Sequence, residues 1–340
     1  MNKFEEITDD IDEIIGEEYI TEILKERNLK IYWGTTPSSI LHIFHIIPLL
    51  KIRKFINYEC EVKILLADIH AYLDLVNKTN DNINFEIFEH RTDIHEKIIK
   101  YLLHYLEIDS DKICFVQGTA YQTGPEYTMD MYKFNALCKI SQLKKAGEEL
   151  LLHNNDTDPL MTSLLYPTLQ ALDIEYLESD VFYGDSHQKG ICILANDVLQ
   201  KMGYKKKGYL LDDIYENLKD MKKITLLDSY ENISEKIYEM TLHDILYILK
   251  YIIFEICAIK NIMLKVNSNK NSNNDIDNTD TFYYFNNFED ISIKYKSKDI
   301  LIIDIKIGII EFLDKIIEPI RSEFLKESVL IEKMIAAKYN

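Results

Sequence analysis

The chain has 340 residues, 47% of them hydrophobic, with a formal net charge of −18 at pH 7. That length accommodates two cored domains, and the longest apolar runs, 245–259 and 300–313, are broken by Lys250 and Glu255 and by Asp304, Lys306 and Glu311, which excludes a membrane span. The acidic balance is the opposite of a nucleic-acid footprint, no leader-like run opens the chain, and five scattered cysteines without a C-x-x-C pair argue against a disulfide framework or a structural zinc, so a cytoplasmic protein is expected.

In chain order, residues 1–28 form an acidic segment with ten acidic and three basic side chains. Short β-rich runs then alternate with longer helical patterns. Strands are predicted at 29–33, 62–67, 113–117 and 180–183, and helices near 41–57, 86–106, 127–150, 160–177 and 188–202. This alternation predicts an α/β domain over 29–228, with a parallel sheet covered by helices on both faces. Ligands bind such sheets at the carboxyl ends of the strands. Tyr32 and Gly34, Asp68 and His70, and the run Gly184 to Gln188 all fall there. From 229 onward the patterns are helical only, near 230–264 and 300–336, so an all-α domain over 229–340 is expected. Within it, 266–280 is almost devoid of apolar groups and is expected to form a loop.

One helix stands out. Between 166 and 177 apolar residues cover most of the surface, while Tyr166, Gln170 and Asp173, at i, i+4 and i+7, share one face, and Pro167 suits a first helical turn. A carboxylate on a core-like helix needs a partner, so the stripe reads as a pocket for a small polar ligand; an ordinary solvated face carries about equal weight. Lys144 and Lys145, like Lys205 to Lys207, are more often solvated surface than nucleic-acid contacts. His42 and His45, three apart without a cysteine or carboxylate beside them, make a weak metal site, and no metal ligands are assigned.

The run from Tyr32 to His45, YWGTTPSSILHIFH, resembles the opening signature of tyrosyl-tRNA synthetases of the archaeal and eukaryotic type, a class I family whose His-Ile-Gly-His tetrapeptide falls at residues 42–45. Similar matches follow in order: Ile64 to Asp74, Gly118 to Gln122 with Glu126 to Thr128, Lys144 to Gly147, Leu165 to Asp173, and Leu313 to Arg321. The resemblance implies a Rossmann-like catalytic domain followed by an all-α anticodon-binding domain. It implies an enzyme that activates tyrosine with ATP and transfers it to tRNA(Tyr). The tyrosine hydroxyl would be held by Tyr32 and Asp173, its ammonium by Tyr166, Gln170 and Gln188, with His70 beside the ring. ATP would lie along Gly34, Ser38, His42, His45 and Gly184, the two histidines stabilising the triphosphate and Mg²⁺ neutralising the leaving pyrophosphate. Lys144, Lys145 and Asp299 would meet tRNA, and a homodimer is implied.

Three departures from that pattern matter. Phe44 stands where relatives carry a small residue beside the adenine. Asp185 replaces the second glycine of a Gly-Gly-x-x-Gln run. In place of a Lys-Met-Ser-Lys-Ser loop the chain offers only Lys219, Lys222 and Lys223, in a segment several residues short. Two interpretations therefore stand: a divergent ligase in which one of these lysines replaces the lost loop, or a non-catalytic paralogue that binds tyrosine or tRNA as a regulator or scaffold. Tryptophan activation is weaker, because Tyr32 and Asp173 suit a phenol better than an indole.

Overall fold

In strand β2 (Lys30–Thr35) successive side chains enter different layers: Ile31 and Trp33 pack into one apolar cluster and Tyr32 into another. The same alternation runs through β3 (Glu61–Leu66) and β5 (Val181–Asp185), where Ile64 and Tyr183 join Trp33 while Leu65 and Phe182 join Tyr32. A sheet buried on both faces needs two helical layers, and it has them. The computed structural model describes residues 2–79, 83–148, 160–268 and 281–326. With β1 (Glu13–Ile15), β4 (Ile113–Gln117) and β6 (Gly208–Asp212), the strand order is β1-β6-β5-β2-β3-β4, all neighbours parallel except β1 against β6. The chain winds outward from β2 to β4 on one side and returns to β5 and β6 on the other. The crevice between the carboxyl ends of β2 and β5 is therefore a topological switch point.

Two strands of this sheet escaped the sequence analysis. β1 has only three residues, and β6 follows three lysines and ends on Asp212, so neither forms a long apolar run. Gly16 follows β1 at φ +83°, and a Cβ there would lie 2.9 Å from the Lys207 carbonyl oxygen, so the turn that docks the N-terminal segment on β6 requires glycine. The predicted helix over 127–150 is two helices among the described residues, Pro125–Leu137 and Ile140–Ala146. The helix carrying the polar stripe starts at Met161, so Pro167 is interior rather than in the first turn. Residues 166–174 of that helix are all buried, enclosed by the helices Asp68–Thr79, Pro125–Leu137 and Lys189–Lys201.

The C-terminal part is helical, as expected, and its core is continuous with the Trp33 layer. Its longest described helix is Ile302–Lys326; the expected continuation to 336 lies outside the described residues. An antiparallel ribbon is added, β7 (Leu264–Ser268) with β8 (Thr281–Phe285). The first three residues of the predicted 266–280 loop are thus strand, because Val266 and Ser268 are buried on alternate positions; 269–280 lies outside the described residues. No described helix is long and apolar enough to cross a membrane.

Gly308 tests how the ribbon sits. It lies inside the Ile302–Lys326 helix, and a Cβ would approach the Lys265 carbonyl oxygen to 2.8 Å. Replacing a helical glycine with alanine alone gains about 1 kcal/mol, whereas forcing a backbone apart costs roughly 1–3 kcal/mol. Gly308→Ala is expected to lower the thermal midpoint. A higher midpoint would mean that β7 does not rest on this helix.

Candidate active site

At the switch point lies a cavity of about 380 Å³ whose wall includes Tyr32, His70, Tyr166, Gln170, Asp173 and Gln188, the six residues assigned to tyrosine from the sequence. Its other walls come from the loop after β2, the turn after β5 and the segment after β6.

Asp173 is 1% exposed, and its two carboxylate oxygens differ. Oδ1 accepts from the Tyr121 hydroxyl at 2.8 Å, Gln122 Nε2 at 2.7 Å and the Tyr127 hydroxyl at 3.1 Å. Tyr127 carries a single proton, so it divides its donation between Asp173 and the Leu169 carbonyl 2.9 Å away. Oδ2 is buried with no hydrogen-bond partner, and His70 Nε2 lies 3.6 Å away. Burial raises the Asp173 pKa against the opposing pull of His70 and the three donors, and burial lowers that of His70. The Tyr32 hydroxyl is pushed well above its usual pKa by burial and by Asp173, so it remains a donor at neutral pH. Phe182 packs its ring 4.9 Å from that of Tyr32, and His70 meets Tyr166 edge-on at 4.7 Å. Gln170 Oε1 is a second buried acceptor without a partner.

The supporting side chains Tyr121, Gln122 and Tyr127 carried no role in the sequence analysis. They lie within the matched runs, but nothing in one sequence shows that three donors from two helices converge on a carboxylate some fifty residues away. Asp68 completes this support. It accepts from the Thr119 amide at 3.0 Å and the Thr119 hydroxyl at 2.6 Å, pinning the start of the short helix Thr119–Gln122.

The second half of the cavity is built on three chain segments. After β2, Gly34 and Thr36 reach the wall, while Ser38 does not line it: its carbonyl is turned toward Arg91. His42 and His45 line the wall with ring centroids 4.1 Å apart, at a single 3-10 turn that enters the helix Ile46–Asn57. Burial lowers both pKa values, His45 to about 4. Phe44 is 2% exposed and packs in the core against the His42 ring while still contributing to the wall. After β5, Gly184 is needed as glycine, because a Cβ would lie 2.3 Å from the Phe182 ring and 2.5 Å from Gln188 Oε1. Gln188 Oε1 accepts from the Asp185 amide at 2.9 Å, and Asp185 Oδ1 approaches His187 Nδ1 to 2.5 Å. After β6, Lys219 and Lys223 line the cavity and Lys222 does not; it is exposed and paired with Glu239 at 2.9 Å.

Three remaining residues assigned from the sequence lie elsewhere. Lys144 and Lys145 end the helix Ile140–Ala146, and Asp299 sits before the last described helix, accepting from Ser297 at 2.8 Å and paired with Lys294 at 3.2 Å. Among the described residues no group of three or more His, Cys, Asp or Glu side chains is placed to hold a metal ion.

Residues 24–290 match the family profile of the tRNA synthetases class I (W and Y). The chain is 33% identical to a probable cytoplasmic tyrosine–tRNA ligase of Enterocytozoon bieneusi over 94% of its own length and 90% of that protein. It is also 33% identical to the cytoplasmic tyrosine–tRNA ligase of Danio rerio over 99% of its length, where it spans only 63% of the longer relative. Its fold overlays a crystal structure of tyrosyl-tRNA synthetase from Archaeoglobus fulgidus complexed with L-tyrosine, with a TM-score of 0.73 and 25% identity, covering 94% of this chain and 98% of that one. A parallel sheet with its cavity at the switch point, a helical C-terminal part and these matches agree: the chain belongs to the class I tyrosyl-tRNA synthetases.

Proposed function

We propose that the chain is a working tyrosine–tRNA ligase of the cytoplasm, and the observation that carries this reading is the asymmetric Asp173 carboxylate. A phenol brings one donor and one acceptor. Asp173 Oδ2, without a partner, accepts a hydrogen bond from the substrate's hydroxyl, and the protonated Tyr32 hydroxyl donates to its oxygen. Phenylalanine would leave both groups unsatisfied in a buried site, which costs more than the missing contact alone. Tyrosyl-tRNA synthetases are themselves the general example of this discrimination, which is therefore a property of the family and not peculiar to this cavity. The ammonium finds Gln170 Oε1, with Tyr166 and Gln188 beside it.

The substrate carboxylate is already ionised and attacks the α-phosphorus of ATP without a general base; pyrophosphate leaves. Catalysis is then positioning and charge stabilisation. His42 and His45, both uncharged at neutral pH, offer N–H donors rather than positive charge. Positive charge comes from Lys219 and Lys223, and Mg²⁺ arrives with ATP as part of the substrate. The tRNA is read by the C-terminal part, where Phe282 and Tyr284 are exposed on one face of the ribbon beside Lys265, a combination suited to stacking unpaired bases. The exposed side chains Met129, Tyr132, Leu137 and Ile140 form an apolar face that suits a homodimer.

Tyrosine-dependent ATP–pyrophosphate exchange tests the ligase directly. Lys219→Ala together with Lys223→Ala is expected to abolish exchange while leaving tyrosine affinity within about twofold, and Lys222→Ala to be silent. Tyrosine binding without exchange by the native protein would instead identify the non-catalytic paralogue.

Selectivity is tested better by Asp173→Asn than by Asp173→Ala, because asparagine keeps an acceptor for Tyr121, Gln122 and Tyr127. Tyrosine affinity is expected to fall by roughly one to two decades, the worth of a hydrogen bond to a charged group, with phenylalanine affinity nearly unchanged. Equal losses would remove hydroxyl recognition from Asp173.

The buried histidines also set a pH dependence of stability. Burial depresses His45 to about 4 and His95 to about 3, and lowers His42 and His70, whereas the unfolded chain titrates near 6.5. Between those values the unfolded state binds more protons, so stability present above pH 6.5 is lost as pH falls, by roughly 1 kcal/mol per pH unit for each such histidine. Thermal midpoints between pH 7.5 and 5 should drop steeply, and less steeply in His45→Asn. A slope unchanged in His45→Asn would show that burial does not depress this ring.

A further inference from the structure

Two buried side chains outside the cavity wall hold the loop on which half of that wall is built. Arg91 and His95, one turn apart on the helix Glu86–Tyr105, are 3% and 0% exposed. Arg91 Nη1 donates to the Ser38 carbonyl at 2.7 Å, and His95 Nε2 lies 2.7 Å from the Ser39 carbonyl. A carbonyl only accepts, so the His95 proton is on Nε2, and Nδ1 faces the interior without a partner. Burying a guanidinium and an imidazole is costly, and an apolar pair would fill the same space more cheaply. What an apolar pair could not do is grip two consecutive carbonyls of a loop.

The opposite side of that loop is gripped by backbone. The Leu226 amide donates to the Leu41 carbonyl at 2.8 Å, the Ile43 amide donates to the Ile224 carbonyl at 2.9 Å, and His42 bridges Thr225. Lys223 directly precedes this short ladder. Residues 38–43 therefore lie between side-chain donors on one side and the lysine segment on the other, with His42 in the middle.

We infer that Arg91 and His95 are positioning residues for the ATP half of the reaction, fixing through Ser38 and Ser39 where His42 and, across the ladder, Lys223 meet the triphosphate. This rests on the ligase reading. Neither side chain touches the cavity, so neither binds substrate. Their effect falls on ATP and spares tyrosine, whose contacts are anchored on other elements. Misplacement of about 1 Å costs on the order of a hundredfold in a reaction governed by positioning.

The test compares His95→Leu, which removes the donor, with His95→Gln, which presents an amide N–H at similar reach, and Arg91→Met with Arg91→Lys. Pyrophosphate exchange gives KM for ATP and kcat, calorimetric titration gives tyrosine affinity, and amide hydrogen exchange reports residues 38–43. His95→Leu is expected to raise KM for ATP at least tenfold and lower kcat, with tyrosine affinity within twofold and faster amide exchange in 38–43. His95→Gln should stay within threefold of the native protein. The proposal is overturned if tyrosine and ATP parameters shift together, if ATP parameters do not move, or if glutamine is as harmful as leucine. Should His95→Leu fail to fold, the Arg91 pair carries the same comparison. A native protein without exchange would sink the ligase reading, not the clamp: faster exchange of 38–43 in the variants would still support the clamp, and unchanged protection would overturn it.

Discussion

The site depends on the cost of burying one carboxylate. Asp173 lies in a helix enclosed on all sides, where an uncompensated charge would cost several kcal/mol. Three donors meet that cost on Oδ1 alone, and they come from two different elements: Tyr121 and Gln122 from the short helix after β4, and Tyr127 from the helix that follows. Asp68 at the end of β3 pins the first of these, so the carboxylate's orientation is tied to two strand ends of the sheet. Because Oδ1 is saturated, Oδ2 can stay without a protein partner while the ring of Tyr32 crosses from the neighbouring strand to face the same cavity. In the proposed reading, selectivity for a hydroxyl is stored as unfinished hydrogen bonding in an otherwise finished core.

The two halves of the cavity are built differently. On the Asp173 side, rings pack against rings, and the polar groups are held by side chains themselves buried. On the histidine side the wall is loop, a single 3-10 turn and exposed lysines, held to the core by carbonyl contacts and a two-bond ladder. Parts held by a few backbone bonds open more easily than parts held by packing, which in the proposed ligase suits a segment that admits ATP and releases pyrophosphate.

Part of the Asp173 side of the cavity was legible because it follows period. The stripe Tyr166, Gln170 and Asp173 is a helical spacing and Gln188 follows a strand end, whereas Tyr32, inside β2, was joined to them by the family resemblance; all five line one cavity. The three donors to Asp173 were not legible, since their roles depend on how separate helices cross. Pro167 misled because proline suits a first turn, yet the helix extends six residues before it, its surroundings fixing what local preference would not. Ser38 was placed on the wall by motif position, but its carbonyl is claimed by Arg91. Among the three lysines spacing could not separate Lys222 from Lys223. The ladder at 224–226 does so, aiming one at the cavity and leaving its neighbour to Glu239.

The departures from the family pattern, Phe44, Asp185 and the short lysine segment, all lie along the cavity wall. Phe44 is 2% exposed and packs edge-on against the His42 ring, so most of the ring is buried although it still forms part of the wall. Lys219 is paired with Glu216 across one turn, but both groups are exposed, and such a pair is worth roughly 0–1 kcal/mol. In the proposed ligase, a triphosphate carries several charges and lowers the local dielectric as water leaves, so exchanging Glu216 for ATP would be favourable. The uncharged histidines add donors without repelling these lysines, whereas protonated imidazoles buried beside Lys223 would do so. Under the ligase proposal, a short lysine segment registered to His42 by backbone bonds supplies the charge that a longer mobile loop would bring.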